Sequence, residues 1–374
     1  MNGVTHSLLK VLAHLRSRGD EVLVIAPSSS RLDDGAPATV EGYPVHSLPS
    51  VPLSGYANVR LAAGTVARVR RILSEFGPDV VHIASPFVLG WRAVQACEQL
   101  GIPSVSIYQT EIPAYASRYG FPWLEPLLWQ RVENIHDAST LTLVPSSFAM
   151  DQLRSHGVQR LHLWRRGVDT ERFRPARYDA GWRAAVARPE ERLIGYVGRL
   201  AAEKQVEDLA VLDAMPGTRL VIIGSGPLKE SLRAKLPRAH FAGFRSGLDL
   251  ARMIASLDLF VHPGESETFC QTIQEAMASG VPVVAVGRGG PLDLVDSSRT
   301  GWLYRPGDLD GLRDAVADLT GDDAKRRAFG RAAHASVQGR TWPVLCEQLI
   351  GFYDKAIAVQ ARRGELAGRA RRIS

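Results

Sequence analysis

The feature that most constrains this chain is an alternation that runs through it twice. Short β-branched runs of strand length alternate with segments whose apolar residues fall at helical spacing. Runs of this kind read as strands buried on both faces, and the helices between them supply the crossovers a parallel sheet needs. In the first series Leu8, Leu9, Val11, Leu12 and Leu15 share a helix face, Gly19 closes the helix, and Val22 to Ile25 reads as a strand. Val59 to Phe76 then reads as a helix, Val80 to Ile83 as a strand, Phe87 to Leu100 as a helix, Val105 to Ile107 as a strand, Pro122 to Asp137 as a helix and Thr140 to Val144 as a strand. The second series places strands at Leu193 to Val197, Leu220 to Ile223, Leu259 to His262, Val281 to Val286 and Trp302 to Tyr304.

The expected fold class is α/β: two Rossmann-like, doubly wound parallel-sheet domains facing a cleft, where ligands of this class bind. The segment from Glu171 to Glu191, with Pro175, Pro189 and many charges, reads as the junction, giving domains at 1–172 and 190–340. A domain of this kind normally opens with a central strand followed by a glycine turn. Here Asn2-Gly3 stands where that turn would end, so the expectation is that the first strand is missing from the sequence.

Composition narrows the class. At 45% hydrophobic and 22% charged residues the chain is an ordinary globular protein. The longest apolar runs have strand length, short of the roughly 18 residues of a membrane span. The start lacks the basic and apolar regions of a signal peptide, which points to the cytoplasm. Cys97, Cys270 and Cys346 are widely spaced and odd in number, which writes neither a disulfide framework nor a CxxC site. A net charge of +6 allows an anionic partner such as a phosphate or a membrane surface, and nothing points to nucleic acid.

Three segments carry chemistry. In GESETFCQTIQEAMASG, Gly264 to Gly280, Glu267 sits in a loop and Glu275 two turns into the following helix, with the amides of Phe269 and Cys270 at the helix start. Two hydroxyl-binding carboxylates flanking an anion-binding helix N-terminus suit a sugar attached to a diphosphate. In GYVGRLAAEKQ, Arg199 follows a strand and Lys204 opens the next helix, so both cations can meet where a diphosphate leaves; the alternative for Lys204 is an ion pair with Glu207 or Asp208. Gly224 and Gly226 lie in a strand-to-helix turn that permits close backbone approach to a nucleotide. His262 has no partner at metal-ligand spacing and reads as packed or nucleotide-adjacent. Asp308-Leu309-Asp310 reads as a capped helix start, and no metal is expected.

In this order and spacing the three segments resemble the retaining glycosyltransferases of the GT-B fold, family four. Within it they are closest to actinobacterial GDP-mannose-dependent α-mannosyltransferases acting on glycolipid acceptors. The resemblance implies transfer of a hexose with retention from a nucleotide-sugar co-substrate, GDP-mannose foremost, without metal or other cofactor. It gives Glu267 to the donor sugar, Glu275 to the ribose, and Arg199 and Lys204 to the diphosphate. Gly3 matches the family's glycine turn, and Arg166 falls in Trp164-Arg165-Arg166-Gly167-Val168-Asp169, similar to an interdomain segment of lipid-linked sugar transferases. A C-terminal helix at 342–361 is expected to cross back to the first domain. Many relatives carry histidine where this chain has Gln109, in Tyr108-Gln109-Thr110-Glu111, and glutamine cannot titrate near neutral pH. Gln109 and Glu111 are candidate sugar or acceptor contacts, with ordinary loop residues the alternative, and Gln109 carries no proton.

Arg60, Arg68, Arg70 and Arg71 fall on one expected helix with Leu61, Val66, Val69, Ile72 and Leu73, which suits either peripheral docking on the inner face of the plasma membrane or a core-packed helix with a solvated arginine face. Competing functions are a UDP-sugar-dependent lipid glycosyltransferase of glucosyl or sulfoquinovosyl type, a sugar-nucleotide epimerase or phosphorylase, and a catalytically silent nucleotide-binding partner. The sequence leaves the oligomeric state open.

Overall fold

The computed structural model describes residues 3–28, 38–53, 56–62, 64–84, 88–109 and 122–373. In the first half the strands are β1 (Val24–Pro27), β2 (Thr39–Val40), β3 (Tyr43–Leu48), β4 (Ser50–Leu53), β5 (Tyr56–Ala62), β6 (Val81–Ile83), β7 (Ser104–Ile107), β8 (Leu141–Val144) and β9 (Leu161–Leu163). They form a parallel four-stranded sheet in the order β6-β7-β8-β9, a three-stranded sheet in the order β1-β3-β2, and the hairpin β4-β5.

The second half holds β10 (Arg192–Val197), β11 (Thr218–Ile223), β12 (His240–Gly243), β13 (Leu259–His262), β14 (Val283–Val286) and β15 (Gly301–Tyr304). All pair in parallel, in the order β12-β11-β10-β13-β14-β15. The order reverses beside β10, and the crevice outside the carboxyl ends at such a reversal is where open α/β sheets bind ligands. Successive residues of each strand feed opposite layers: Leu193, Val197, Val221 and Ile223 join one core, Ile194, Tyr196, Leu220 and Ile222 the other. Coverage on both faces explains why these strands are apolar throughout.

Two sequence expectations change. Val59 to Phe76 is not one helix: β5 ends at Ala62 and the helix is Val66–Phe76. Arg60 therefore lies on a strand, opposite Pro52 in the hairpin, apart from Arg68, Arg70 and Arg71. Thr65 explains the break, because its hydroxyl accepts from the Arg68 amide and caps the helix there. That helix also spends its apolar face on the core: Val69, Ile72 and Leu73 are buried with Leu48, Ala96 and Cys97, and the three arginines are exposed. No helix among the described residues is long and apolar enough to cross a membrane.

The junction belongs physically to the second half. Its helix Ala180–Val186 buries Val186 in the same core as Leu193, and Phe173 joins it. The last helix, Trp342–Ile373, returns to the first half. Trp342, Leu345, Cys346, Leu349 and Tyr353 pack with Val11, Val105, Ile107, Leu141, Leu143 and Trp164, and the Trp164 indole donates to the Leu345 carbonyl at 2.7 Å.

Candidate active site

One continuous cleft of about 2710 Å³ is lined from both halves, by Gly3, Gln109 and Arg166 on one side and by Arg199, Lys204, Gly224, Gly226, Glu267, Phe269 and Cys270 on the other. At its centre β13 ends and the helix Gln271–Ala278 begins. Cys270 precedes that helix with a left-handed φ of 70°, so the chain turns sharply and the helix start faces the cleft. The turn is backed by Gly-Arg-Gly-Gly at Gly287 to Gly290, which the sequence reading passed over. The Gly290 amide donates to the Glu267 carbonyl at 2.7 Å, and a Cβ on Gly290 would sit 2.3 Å from the Phe269 carbonyl oxygen. Two adjacent glycines after a buried strand were the available signal.

Lys204 does not pair with Glu207 or Asp208. Its ammonium donates to Glu267 Oε1 at 2.6 Å, while Glu207 holds Lys235 at 2.8 Å. His262 Nε2 approaches the same Glu267 oxygen at 3.2 Å, and Tyr196 stacks on the imidazole with ring centroids 5.9 Å apart. Burial alone would raise the Glu267 carboxyl, but Lys204 and His262 outweigh it and hold the group at about 2. His262 is pulled the other way: burial opposes its charge, yet Cys270 and Glu267 raise it to about 9. Glu267 is thus an anion gripped by cations, free to accept hydrogen bonds from hydroxyls.

Arg199 is half exposed and lies 3.9 Å from Glu203, so its guanidinium remains near the cleft surface. Gly224 has φ 155°, and a Cβ there would lie 1.9 Å from the Gly198 carbonyl oxygen; one on Gly226 would lie 2.3 Å from that of Leu200. Only glycine lets these turns close. Glu275, by contrast, does not line the cleft with Glu267. It is buried in the helix, and with Arg172 too weak a counterweight, burial pushes its carboxyl up to about 8.

On the other wall Arg166 is buried, donating to Gln109 Oε1 at 2.7 Å and toward the Gly3 carbonyl at 3.4 Å. Burial lowers its pKa to about 10, still a cation at neutral pH, and Glu267 supports the charge. A Cβ on Gly3 would come 3.0 Å from Arg166 Nη1. Gln109 also donates to the Ala84 carbonyl at 3.2 Å. Glu111 lies outside the described residues. The walls are tied together: Thr268 donates to the Gln109 carbonyl at 3.0 Å, and Gln274 and Gln271 donate to the carbonyls of Arg166 and Gly167, each at 3.0 Å. The sequence reading missed Thr268, Gln271 and Gln274, whose partners stand more than 100 positions away.

Two open parallel-sheet domains with a cationic, carboxylate-bearing cleft between them define a glycosyltransferase of the GT-B kind. Residues 1–172 match the description Glycosyltransferase Family 4, and residues 181–336 match Glycosyl transferases group 1. The chain belongs to glycosyltransferase family 4. It is 43% identical, over 97% of its length and 94% of the relative's, to the GDP-mannose-dependent alpha-mannosyltransferase of Mycobacterium tuberculosis. Identity to the protein of the same name from Mycolicibacterium smegmatis is 44%, over 97% of this chain and 96% of that one. Among solved structures, Anabaena HepE in complex with UDP superposes with a TM-score of 0.77 at 20% identity, covering 95% of this chain and 96% of that chain. The sucrose-phosphate synthase from Thermosynechococcus elongatus gives 0.78 at 20% identity, covering 96% and 94%. These two likenesses concern the fold alone. The epimerase, phosphorylase and silent-partner alternatives give way to a glycosyltransferase.

Proposed function

We propose that this enzyme transfers α-mannose from GDP-mannose, with retention, to a glycolipid acceptor at a membrane surface, as a step of glycolipid or lipomannan assembly. The observation that carries the reading is the Lys204–Glu267 pair at the head of the Gln271–Ala278 helix. It puts an ammonium for a diphosphate and a carboxylate for sugar hydroxyls within one contact of each other. The relatives at 43% and 44% identity support the choice of donor.

Arg199, Lys204 and the helix N-terminus stabilise the departing diphosphate. Glu267 orients the sugar, with Gln109 and Arg166 behind it. The ribose is the contact the family resemblance gives Glu275; its protonated, buried carboxyl stands behind the cleft lining, so that contact requires the head of the Gln271–Ala278 helix to open toward the donor. The bond from the anomeric carbon to the diphosphate oxygen breaks while the acceptor oxygen bonds on the same face, and the acceptor proton passes to the departing diphosphate. Gln109 needs to carry no proton. These cations replace a divalent metal, so EDTA is expected to leave turnover unchanged.

An amphiphilic acceptor is supported by the apolar mouth of the cleft, where Leu124, Leu127 and Leu128 line the wall and Trp123 and Leu127 are exposed. Arg68, Arg70 and Arg71 offer charge to anionic lipid, without an apolar face to insert. A second donor reading has one observation behind it: 34% identity, over 91% of this chain and 68% of the relative, to the sulfoquinovosyl transferase SQD2 of Arabidopsis thaliana. A melting-temperature panel with GDP, UDP and ADP, followed by turnover of GDP-mannose, separates the two. The largest shift is expected with GDP; a larger one with UDP would transfer the assignment to a UDP-sugar.

A further inference from the structure

The buried imidazole of His262 is unused by the chemistry above. Its exposure is 2%, and neither ring nitrogen has a hydrogen-bond partner, the approach to Glu267 lacking the required alignment. Among the described residues, one cluster offers metal-ligating atoms of mixed type at close range: His262, Glu267 and Cys270, all within 4.8 Å of one another. We propose that these three residues form a binding site for a soft divalent cation of the zinc class, and that the ion competes there with the nucleotide-sugar donor.

Imidazole, carboxylate and thiolate are the donors such an ion selects, at bond lengths of about 2.0–2.3 Å. Tetrahedral ligands at those lengths stand roughly 3.3–3.8 Å apart. His262 Nε2 and Glu267 Oε1 are 3.2 Å apart and the Cys270 thiol lies within 4.8 Å of both, so closure on an ion draws the thiol inward and moves the Lys204 ammonium off Glu267. The frame is suited to that. His262 ends β13, and Cys270 stands immediately before the helix Gln271–Ala278. A Cβ on Gly264 would come 3.1 Å from His262 Nε2, so a glycine keeps the nitrogen open. Three protein ligands leave a fourth position for water on the cleft side, the pattern of an accessible site.

Binding forms one bond each to nitrogen, oxygen and sulfur. It releases the thiol proton and any imidazolium proton to solvent, with no electron transfer. Because Glu267 Oε1 is 2.6 Å from Lys204 Nζ, the ion takes the place of the ammonium on the carboxylate and withdraws Glu267 from the sugar. The competition, though not the binding, rests on the donor reading above.

The test is a titration of the full chain, free of donor, with Co²⁺ as the probe. Thiolate ligation gives an intense near-ultraviolet charge-transfer absorption. The expected result is such a band saturating at one equivalent, bleached by Zn²⁺, and retained in Cys97→Ser and Cys346→Ser. Cys270→Ser should abolish the band, and His262→Gln should weaken Co²⁺ binding by at least ~10- to 100-fold. Should either variant fail to fold, protection of Cys270 in the unmodified chain from iodoacetamide by Zn²⁺ gives the same answer. No thiolate band in the unmodified chain, a band that survives Cys270→Ser, or no protection would overturn the site. GDP should raise the apparent Kd for Co²⁺; if neither GDP nor UDP does, the competition is wrong. A failure of the donor-free titration is distinct from a failure of the mannosyl reading, which the nucleotide panel decides.

Discussion

The second half of the molecule carries six strands in one unbroken parallel sheet, whereas the described strands of the first half divide into two sheets and a hairpin. The glycines that line the cleft differ as well. On the second-half wall, Cβ atoms on Gly224 and Gly226 would meet backbone oxygens at 1.9 and 2.3 Å. Across the cleft, a Cβ on Gly3 would meet only the end of the Arg166 side chain, at 3.0 Å. The Gly224 and Gly226 turns of one wall are therefore set by backbone packed against backbone, and the Gly3 side of the opposite wall by side chains such as Arg166 and Gln109. Backbone contacts fix a site rigidly and tolerate little change, while side-chain contacts can adjust.

The sharpest way to break this contrast is a matched pair of glycine substitutions. Gly224→Ala forces a methyl onto the Gly198 carbonyl and should cost about 3 kcal/mol, lowering the melting temperature by roughly 6–12 °C. Gly3→Ala meets only the end of the Arg166 side chain and should cost under ~1 kcal/mol. Equal losses in the two melting curves would remove the distinction.

Next in size is the ion pair. Lys204→Ala should weaken nucleotide binding, and Glu267→Ala should lower kcat more than affinity, each by about 1.5–3 kcal/mol or roughly 10- to 150-fold. Unchanged kinetics in Lys204→Ala would remove the ammonium from the leaving-group chemistry.

Glu275→Gln sharpens the comparison through pH. The folded carboxyl is raised to about 8 from an unfolded value of 4.5, so the unfolded state ionises first and the folded state loses stability as pH rises between those values. Glutamine removes that loss. The variant should gain on the parent progressively from pH 4.5 to 8, with no further gain above pH 8. A pH-independent difference between the two denaturation midpoints would contradict the buried, uncompensated placement of this carboxyl.

The smallest effect is expected on the first half's surface. Replacing Arg68, Arg70 and Arg71 together by alanine should change stability by no more than about 0.5 kcal/mol, because only Val69, Ile72 and Leu73 of that helix are packed. The same variant should bind anionic vesicles less well in sedimentation, and equal binding would detach these arginines from lipid.

The legibility of the sequence follows the same division. Five of the second half's strands stood out because burial on both faces makes them continuous apolar runs; β12 did not, since His240-Phe241-Ala242-Gly243 holds too few apolar residues to stand apart from a loop. In the first half Val59 to Ala62 ran in phase with the helical spacing that follows, and only the Thr65 cap separates strand from helix. The glycines and charged residues of the cleft were readable from motif and spacing. Their pairings were not: nothing local tells Lys204 to choose Glu267 over Glu207, or Arg166 to choose Gln109, because those choices are made by tertiary approach.

The returning helix Trp342–Ile373 has a consequence in time. Val11, Val105, Ile107 and Leu141 leave the ribosome early, yet their core is completed by Leu345, Leu349 and Tyr353, which are synthesised only after the whole second sheet. The second half has its hydrophobic partners within its own stretch of chain and can close while translation proceeds. Contacts spanning more than 300 positions, such as His14 to Glu347 and Arg18 to Glu347, must wait until Glu347 has emerged. The half made first is thus the half finished last, and a nascent chain should be capable of holding a nucleotide before it has a completed wall to face an acceptor.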